Sequence, residues 1–239
     1  MKPYDTQESK KEQVVRMFDG IAPDYDMLDH LLSLNIDRSW RRKTAGKVKK
    51  TCPGNILDVA TGTGDLAIAM AKRIPRAMIT GCDISEEMLR IGRRKASTRK
   101  AGDRIVFTCA DAEALPYPEG EFDAVTAAFG VRNFQDIDAG LSEMYRVLKP
   151  GGEIFILEFS VPGGKIFAPL YRFYFRNILP RIGGLFSKDY DAYGYLPGSV
   201  DEFPSPDNFQ RQLEAAGFGQ CGTEKLTRGV AILYNGRKI

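Results

Sequence analysis

Short apolar runs alternate with longer amphipathic stretches from residue 54 onward. The runs fall at 55–60 (NILDVA), 77–82 (AMITGC), 105–109 (IVFTC), 122–128 (FDAVTAA) and 153–159 (EIFILEF), with helix-like segments between them near 64–74, 85–100 and 136–148. Alternation of this kind predicts a parallel sheet with helices on both faces. Ser85, followed by Glu86 and Glu87, has the chemistry of a helix N-terminus. Leu141, Met144, Tyr145 and Leu148 form a stripe at helical spacing, and Lys149-Pro150-Gly151-Gly152 is expected to stop that helix before the next strand. Upstream, Val14, Val15 and Phe18 predict one helix and Met27, Leu28, Leu31 and Leu32 a second, followed by a basic stretch from Arg38 to Lys50. Residues 160–205 break the alternation. Residues 207–235 predict a helix and then strands at 220–227 and 229–235, close enough to form a hairpin whose last strand runs antiparallel. The expected organisation is one domain over 1–239, with a helical extension at 1–50 and a cap segment inserted at 160–205.

Composition narrows this frame. With 239 residues, 43% hydrophobic and 27% charged, the chain can bury a large core without disulfides or metals. The charges nearly balance, 34 basic against 31 acidic, which does not suggest a nucleic-acid binder. The four cysteines contain no CxxC pair and His30 is the only histidine, so no metal site is expected. Cys82 and Cys109 end apolar runs and read as buried thiols. No apolar run approaches the roughly 20 residues of a membrane span. The expectation is a soluble, reduced, cytoplasmic protein.

The strongest local signal is the loop Asp58-Val59-Ala60-Thr61-Gly62-Thr63-Gly64-Asp65, which follows a strand and opens a helix. Gly62 and Gly64 allow positive φ and close approach of a ligand to the backbone. Spacing alone also fits a dinucleotide fingerprint, so a nicotinamide oxidoreductase is a competing reading. Asp58 and Asp65 argue against it, because two carboxylates repel a diphosphate and suit a cationic ligand. S-adenosylmethionine carries a sulfonium and an ammonium and no phosphate. Asp83 ends the second strand, where a carboxylate accepts ribose hydroxyls, and Asp111 follows the third, where it accepts from an adenine amino group. For each acid alone, a helix cap or a turn residue is the plain alternative.

The whole arrangement resembles the class I S-adenosylmethionine-dependent methyltransferases. That resemblance implies a Rossmann-like α/β fold with a seven-stranded, mostly parallel sheet in order 3-2-1-4-5-7-6 and strand 7 antiparallel. Longer motifs are more specific: MFDGIAPDYDMLDHLLSLNIDRSWRRK, LDVATGTGDLA, CDISEEML, CADAEALPYPEGEFDAVTAAFGVRNFQD, EMYRVLKPGGEIFILEFSVP, YRFYFRNILPRIGG and YGYLPGSVDEFP. They are similar to the ubiquinone/menaquinone biosynthesis C-methyltransferase family over about residues 14–220. The resemblance implies cofactor contacts at Thr63, Asp83, Asp111 and Ala112, beside the loop residues Asp58, Gly62 and Gly64. It implies substrate-side, catalytic positions at Arg132, Asn133 and Tyr25, and places the 1–50 extension on the substrate side. It further implies C-methylation of a prenylated hydroquinone, with demethylmenaquinol favoured over the ubiquinone-pathway benzoquinol. Thr61, Ala128 and Asp37 depart from residues common in the family (a glycine, a serine and a histidine). A phenolate activates the neighbouring ring carbon, and an arginine such as Arg132 lowers a phenol's pKa.

The stretch 159–188 has no acid, seven aromatics and five cations, a pattern that fits either contact with an anionic membrane surface or a cap over a greasy substrate. A nucleic-acid methyltransferase is disfavoured by AFGVRN where an adenine-specific enzyme shows a PPY-type motif. Tyr145 and Lys149 mimic a dehydrogenase pair but read as structural. Arg90, Arg93, Arg94 and Lys95, and likewise Arg38, Arg41, Arg42 and Lys43, read as solvated faces. The oligomeric state is open between monomer and homodimer.

Overall fold

The structure is a computed structural model, which describes residues 1–33, 35–99, 102–163 and 190–239. Its centre is a seven-stranded sheet in order β3-β2-β1-β4-β5-β7-β6. The strands are β1 (Asn55–Val59), β2 (Met78–Asp83), β3 (Ile105–Cys109), β4 (Phe122–Ala128), β5 (Leu148–Phe159), β6 (Phe218–Leu226) and β7 (Ala231–Lys238). The first five pair in parallel, and β7 enters antiparallel between β5 and β6. Order and direction are those expected from the alternation, the hairpin and the resemblance.

Strand periodicity divides the core between the two faces of the sheet. Ile56, Ala124 and Leu157 pack with Leu66, Ile68 and Met70 of α3 (Asp65–Arg73). Leu57, Val59 and Val125 pack with Leu141, Met144 and Val147 of α5 (Ile137–Val147) and with Phe209 and Leu213 of the helix Pro206–Ala215. The helix starts follow local chemistry. Ser85 Oγ accepts the Met88 amide at 3.2 Å and caps α4 (Glu86–Thr98), and Asp136 accepts the Ala139 amide at 3.0 Å to cap α5.

Four expectations need correction. The two helices expected near the start are one, α1 (Lys10–Leu32), which runs through Pro23. A proline removes a helical hydrogen bond, but ion pairs on both sides of Pro23 hold the helix to the domain, as described below. Lys149–Gly152 does not separate helix from strand. It lies within β5, where the pairing jumps from Phe122↔Leu148 to Ala124↔Glu153, and Gly151 takes a φ of +79°. Cys109 is exposed, because it ends the edge strand β3, whereas Cys82 on the inner strand β2 is buried. The basic stretch forms α2 (Ile36–Val48), in which Arg41 is buried rather than solvated. Tyr145 stacks edge-on against Phe218 at 5.1 Å and Lys149 pairs with Asp123 at 2.6 Å, so both are structural. The 160–205 cap and the membrane-contact stretch lie mostly outside the described residues. No described helix is long and apolar enough to cross a membrane, and no described cluster could hold a metal.

Candidate active site

A cleft partly open to solvent lies at the carboxyl ends of β1 to β4. Ligands of open α/β sheets bind at that edge. Asp58, Gly62, Thr63, Asp83, Asp111, Ala112, Asn133 and Tyr25 all line it. Gly64 and Arg132 do not themselves line it, although Asn133, next to Arg132, does. Gly64 takes φ +78°, and a Cβ there would stand 2.8 Å from the Phe107 ring, so the loop turns into α3 only with glycine.

Asp58 is 1% exposed and accepts from Thr126 Oγ1 at 2.5 Å and Thr61 Oγ1 at 2.7 Å. Burial pushes its carboxyl up to about 6, while the two hydroxyls and Arg41 pull the other way. Asp83 accepts the amides of Gly62 at 2.8 Å and Ser85 at 2.9 Å, which ties the end of β2 to the glycine loop. Burial raises its pKa too, the Ser85 and Gly62 amides oppose that, and Asp19 adds repulsion. Asp111 accepts the Glu113 amide at 2.9 Å and pairs with Lys11 at 2.6 Å.

Helix α1 forms one wall of the cleft, and its polar residues fasten it there. Lys11 bridges Asp111 and Glu113, and Lys10 donates to the carbonyls of Arg132 at 3.0 Å and Phe134 at 2.6 Å. Asp19 accepts from Ser85 at 2.6 Å. Asp26 meets Thr63 Oγ1 at 2.5 Å and Lys95 at 2.6 Å, and Lys95 also pairs with Asp65 at 2.7 Å. Lys95 is thus a cross-link between α4, α1 and the glycine loop, not part of a solvated face. It offsets the Asp65 charge, so Asp65 contributes less to attracting a cation than its position in the loop suggests.

After β4 the chain passes through Phe129 and Gly130 into a 3-10 turn, Val131–Asn133. A Cβ on Gly130 would fall 2.5 Å from that of Ala60, so glycine permits this loop to sit against the loop after β1. The Arg132 guanidinium is buried, pairs with Glu158 at 2.6 Å, contacts the Phe129 carbonyl and stands 5.4 Å from the Phe159 ring centroid. Burial opposes its charge, and Glu158, Tyr25 and Tyr195 more than restore it. Arg132 Nε, Asn133 Oδ1 and Tyr195 Oη are buried without a hydrogen-bond partner among the described residues. Such orphaned groups are uncommon and mark places where water or a ligand is expected.

The donor set fits S-adenosylmethionine better than a dinucleotide. Among the described residues, the lining carries five carboxylates (Asp58, Asp65, Asp83, Asp111 and Glu113) against two cations, Lys11 and Arg41. Among the described residues, no atom outside Gly62 and its two chain neighbours lies within 4 Å of a Cβ position there, which leaves room beside the loop. Sequence reasoning missed Lys10, Lys11, Asp19, Asp26, Lys95, Arg41 and Glu158. Arg41 and Lys95 belong to basic runs that read as solvated faces, and no local pattern marks which polar residue turns toward a distant loop.

Fold and site together define a class I S-adenosylmethionine-dependent methyltransferase. A solved S-adenosylmethionine-dependent methyltransferase from Thermotoga maritima superposes with a TM-score of 0.61, covering 94% of this chain and 99% of its own, at 19% identity. At that identity the likeness speaks for the fold alone. The sequence itself goes further: residues 6–238 match the ubiE/COQ5 methyltransferase family, and the chain belongs to it. It is 50% identical over 230 residues to the ubiquinone/menaquinone biosynthesis C-methyltransferase UbiE of Geotalea daltonii, covering 96% of this chain and 97% of the relative. It is 44% identical over 238 residues to the demethylmenaquinone methyltransferase of Bacteroides fragilis, covering 100% and 97%.

Proposed function

We propose that this protein transfers a methyl group to a ring carbon of a prenylated hydroquinone, with demethylmenaquinol as the acceptor. The observation that carries this reading is the junction of two loops. The glycine loop after β1 and the Gly130–Asn133 loop after β4 meet at one cleft, with orphaned polar atoms at the latter. S-adenosylmethionine, when bound, supplies an electrophilic methyl on a sulfonium sulfur. Asp83 holds the ribose hydroxyls, Asp111 and Ala112 the adenine edge, and Asp58 and Thr63 the amino-acid end.

On the acceptor side, Asn133 Oδ1, which lines the cleft, accepts a hydrogen bond from the ring hydroxyl before ionisation, and Arg132 beside it acts on the ring oxygen through its charge. Tyr25, on the facing helix, orders the same oxygen. The ion pair with Glu158 holds the guanidinium in one orientation, and its positive end favours the phenolate, which enriches the ortho carbon. The proton leaves to water. Alignment of carbon, methyl and sulfur completes the protein's contribution, and no covalent nucleophile is needed. The benzoquinol of ubiquinone biosynthesis is the second acceptor to test, because the Geotalea relative is named for both pathways.

The experiment supplies purified protein with S-adenosylmethionine and each reduced quinone precursor, and locates the new methyl by mass spectrometry and NMR. Methylation of naphthoquinol carbon is expected; methylation at oxygen, or of neither acceptor, overturns the reading. We also propose that residues 159–188 contact anionic membrane, supported by their lack of acids and their five cations. Replacing Arg172 and Arg176 by Glu should reduce sedimentation with anionic vesicles at low salt; undiminished sedimentation overturns this role.

A further inference from the structure

A ligand with an ammonium beside a carboxylate brings a problem that acids alone do not solve. The α-carboxylate of S-adenosylmethionine must enter a cleft already lined by five carboxylates. Burying an anion there without a cation is strongly unfavourable. Among the described residues, two cations line the cleft. Lys11 is held at the β3 end between Asp111 at 2.6 Å and Glu113 at 2.9 Å, where the adenine is read. Arg41 belongs to the other end. Its guanidinium carbon stands 5.1 Å from the Phe129 ring centroid, just after β4, and its charge acts on Asp58.

Arg41 is 6% exposed and forms an ion pair with Asp37, one turn earlier on α2, which is 0% exposed. An arginine so buried is fixed in direction by its partner and offers several donors in a planar fork, the geometry that matches a carboxylate. The amino-acid end of the methyl donor carries its ammonium and carboxylate on one carbon, so a partner for the second charge must lie near the partner of the first. Arg41 meets that condition with respect to Asp58, and Lys11 does not.

Resting on the methyl-donor reading, we propose that Arg41, oriented by Asp37, binds the α-carboxylate of S-adenosylmethionine. Asp37 is then a positioning residue, not a base. This assigns a function to a side chain that helical patterning places on a solvated basic face, and explains why a charged residue projects from α2 into the core beside the cleft.

The test is calorimetric and needs no turnover. Wild type and Arg41→Gln are titrated with S-adenosylmethionine and with its decarboxylated form, which keeps the ammonium and sulfonium. The wild-type ratio of the two affinities should shrink by on the order of tenfold to a hundredfold in Arg41→Gln, the scale of losing a charge-assisted hydrogen bond. Affinity for the decarboxylated form should stay within a few-fold. Arg41→Gln leaves Asp37 buried alone, so Asp37→Asn/Arg41→Gln is measured beside it, and Arg41→Lys should give an intermediate ratio. An unchanged ratio in whichever variant retains the wild-type circular dichroism spectrum overturns the proposal. Should wild type bind neither ligand, the methyl-donor reading falls with it. Binding of both ligands with an unchanged ratio removes only the role of Arg41.

Discussion

Replacing Asp58 by Asn should stabilise the unliganded protein at neutral pH while weakening its hold on the methyl donor. Asp58 is buried on β1, and burial raises its carboxyl from 3.8 to about 6. Between those values the folded chain keeps a proton that the unfolded chain has lost. Stability therefore falls as pH rises from about 4 to about 6 and stays reduced above that. The corresponding cost at neutral pH is about 3 kcal/mol. The Asp58→Asn change removes the charge but keeps one acceptor oxygen for Thr126 or Thr61, and either hydroxyl can turn to accept from the new amide. A net gain of about 1–3 kcal/mol is expected, or roughly 2–4 °C of melting temperature per kcal/mol for a chain of this size. Urea denaturation of wild type and variant from pH 4.5 to pH 8 measures it. Asp83 titrates in the same direction, so the informative quantity is the difference between the two proteins. That difference should grow as pH rises from 4.5 toward 6 and level off above it. If the variant is less stable than wild type at pH 8, or the difference does not change with pH, Asp58 does not carry the buried charge argued here. The same variant should bind S-adenosylhomocysteine more weakly, most visibly above pH 6, where the wild-type carboxylate is ionised.

Asp83→Ala removes the acceptor of the Gly62 and Ser85 amides and the proposed ribose ligand, and should weaken S-adenosylhomocysteine binding by about 1–3 kcal/mol. Unaltered affinity by calorimetry in a folded variant removes the ribose assignment. Gly130→Ala forces a Cβ to within 2.5 Å of Ala60 and must displace one of the two loops that meet at the cleft. A loss of about 1–3 kcal/mol in thermal melts is expected, together with slower methyl transfer; wild-type behaviour in both would show that the loops are not closely fitted.

The sheet was legible because its strands are short apolar runs bounded by turn chemistry, and their order followed from the hairpin at the end and the family resemblance. The misread parts share a cause. Pro23 is a strong local helix breaker, yet Lys10 and Lys11 before it and Asp26 after it anchor α1 to residues more than thirty positions away. Gly151 and Gly152 signal a turn, but Leu148 already pairs with Phe122, so the ladder absorbs the glycines as an irregularity. Cys109 ends an apolar run as Cys82 does, and only strand order decides that one faces outward. In each case a local rule was overridden by pairing that the local sequence does not encode.

The site divides in the same way. Carboxylates at strand ends were legible because topology alone brings consecutive strand ends to one edge, and Asp58, Asp83 and Asp111 meet there as a result. Cations were not, because Arg41 and Lys95 sit within basic runs where neighbours such as Arg38, Arg42, Arg93 and Arg94 are exposed. Nothing in composition distinguishes the one member of a run that turns inward. What distinguishes it is a partner: Asp37 one helical turn before Arg41, and Asp26 and Asp65 for Lys95. The Asp37–Arg41 spacing was visible on the helix, and Asp37 itself stood out as a departure from the histidine common at that position. An acid introduced four residues before an arginine, on a helix whose Trp40, Thr44, Ala45 and Val48 are buried, marks the face that enters the core. A departure from a family pattern is thus best weighed together with its i+4 neighbour, since the pair, not the single residue, decides whether a charge can be buried.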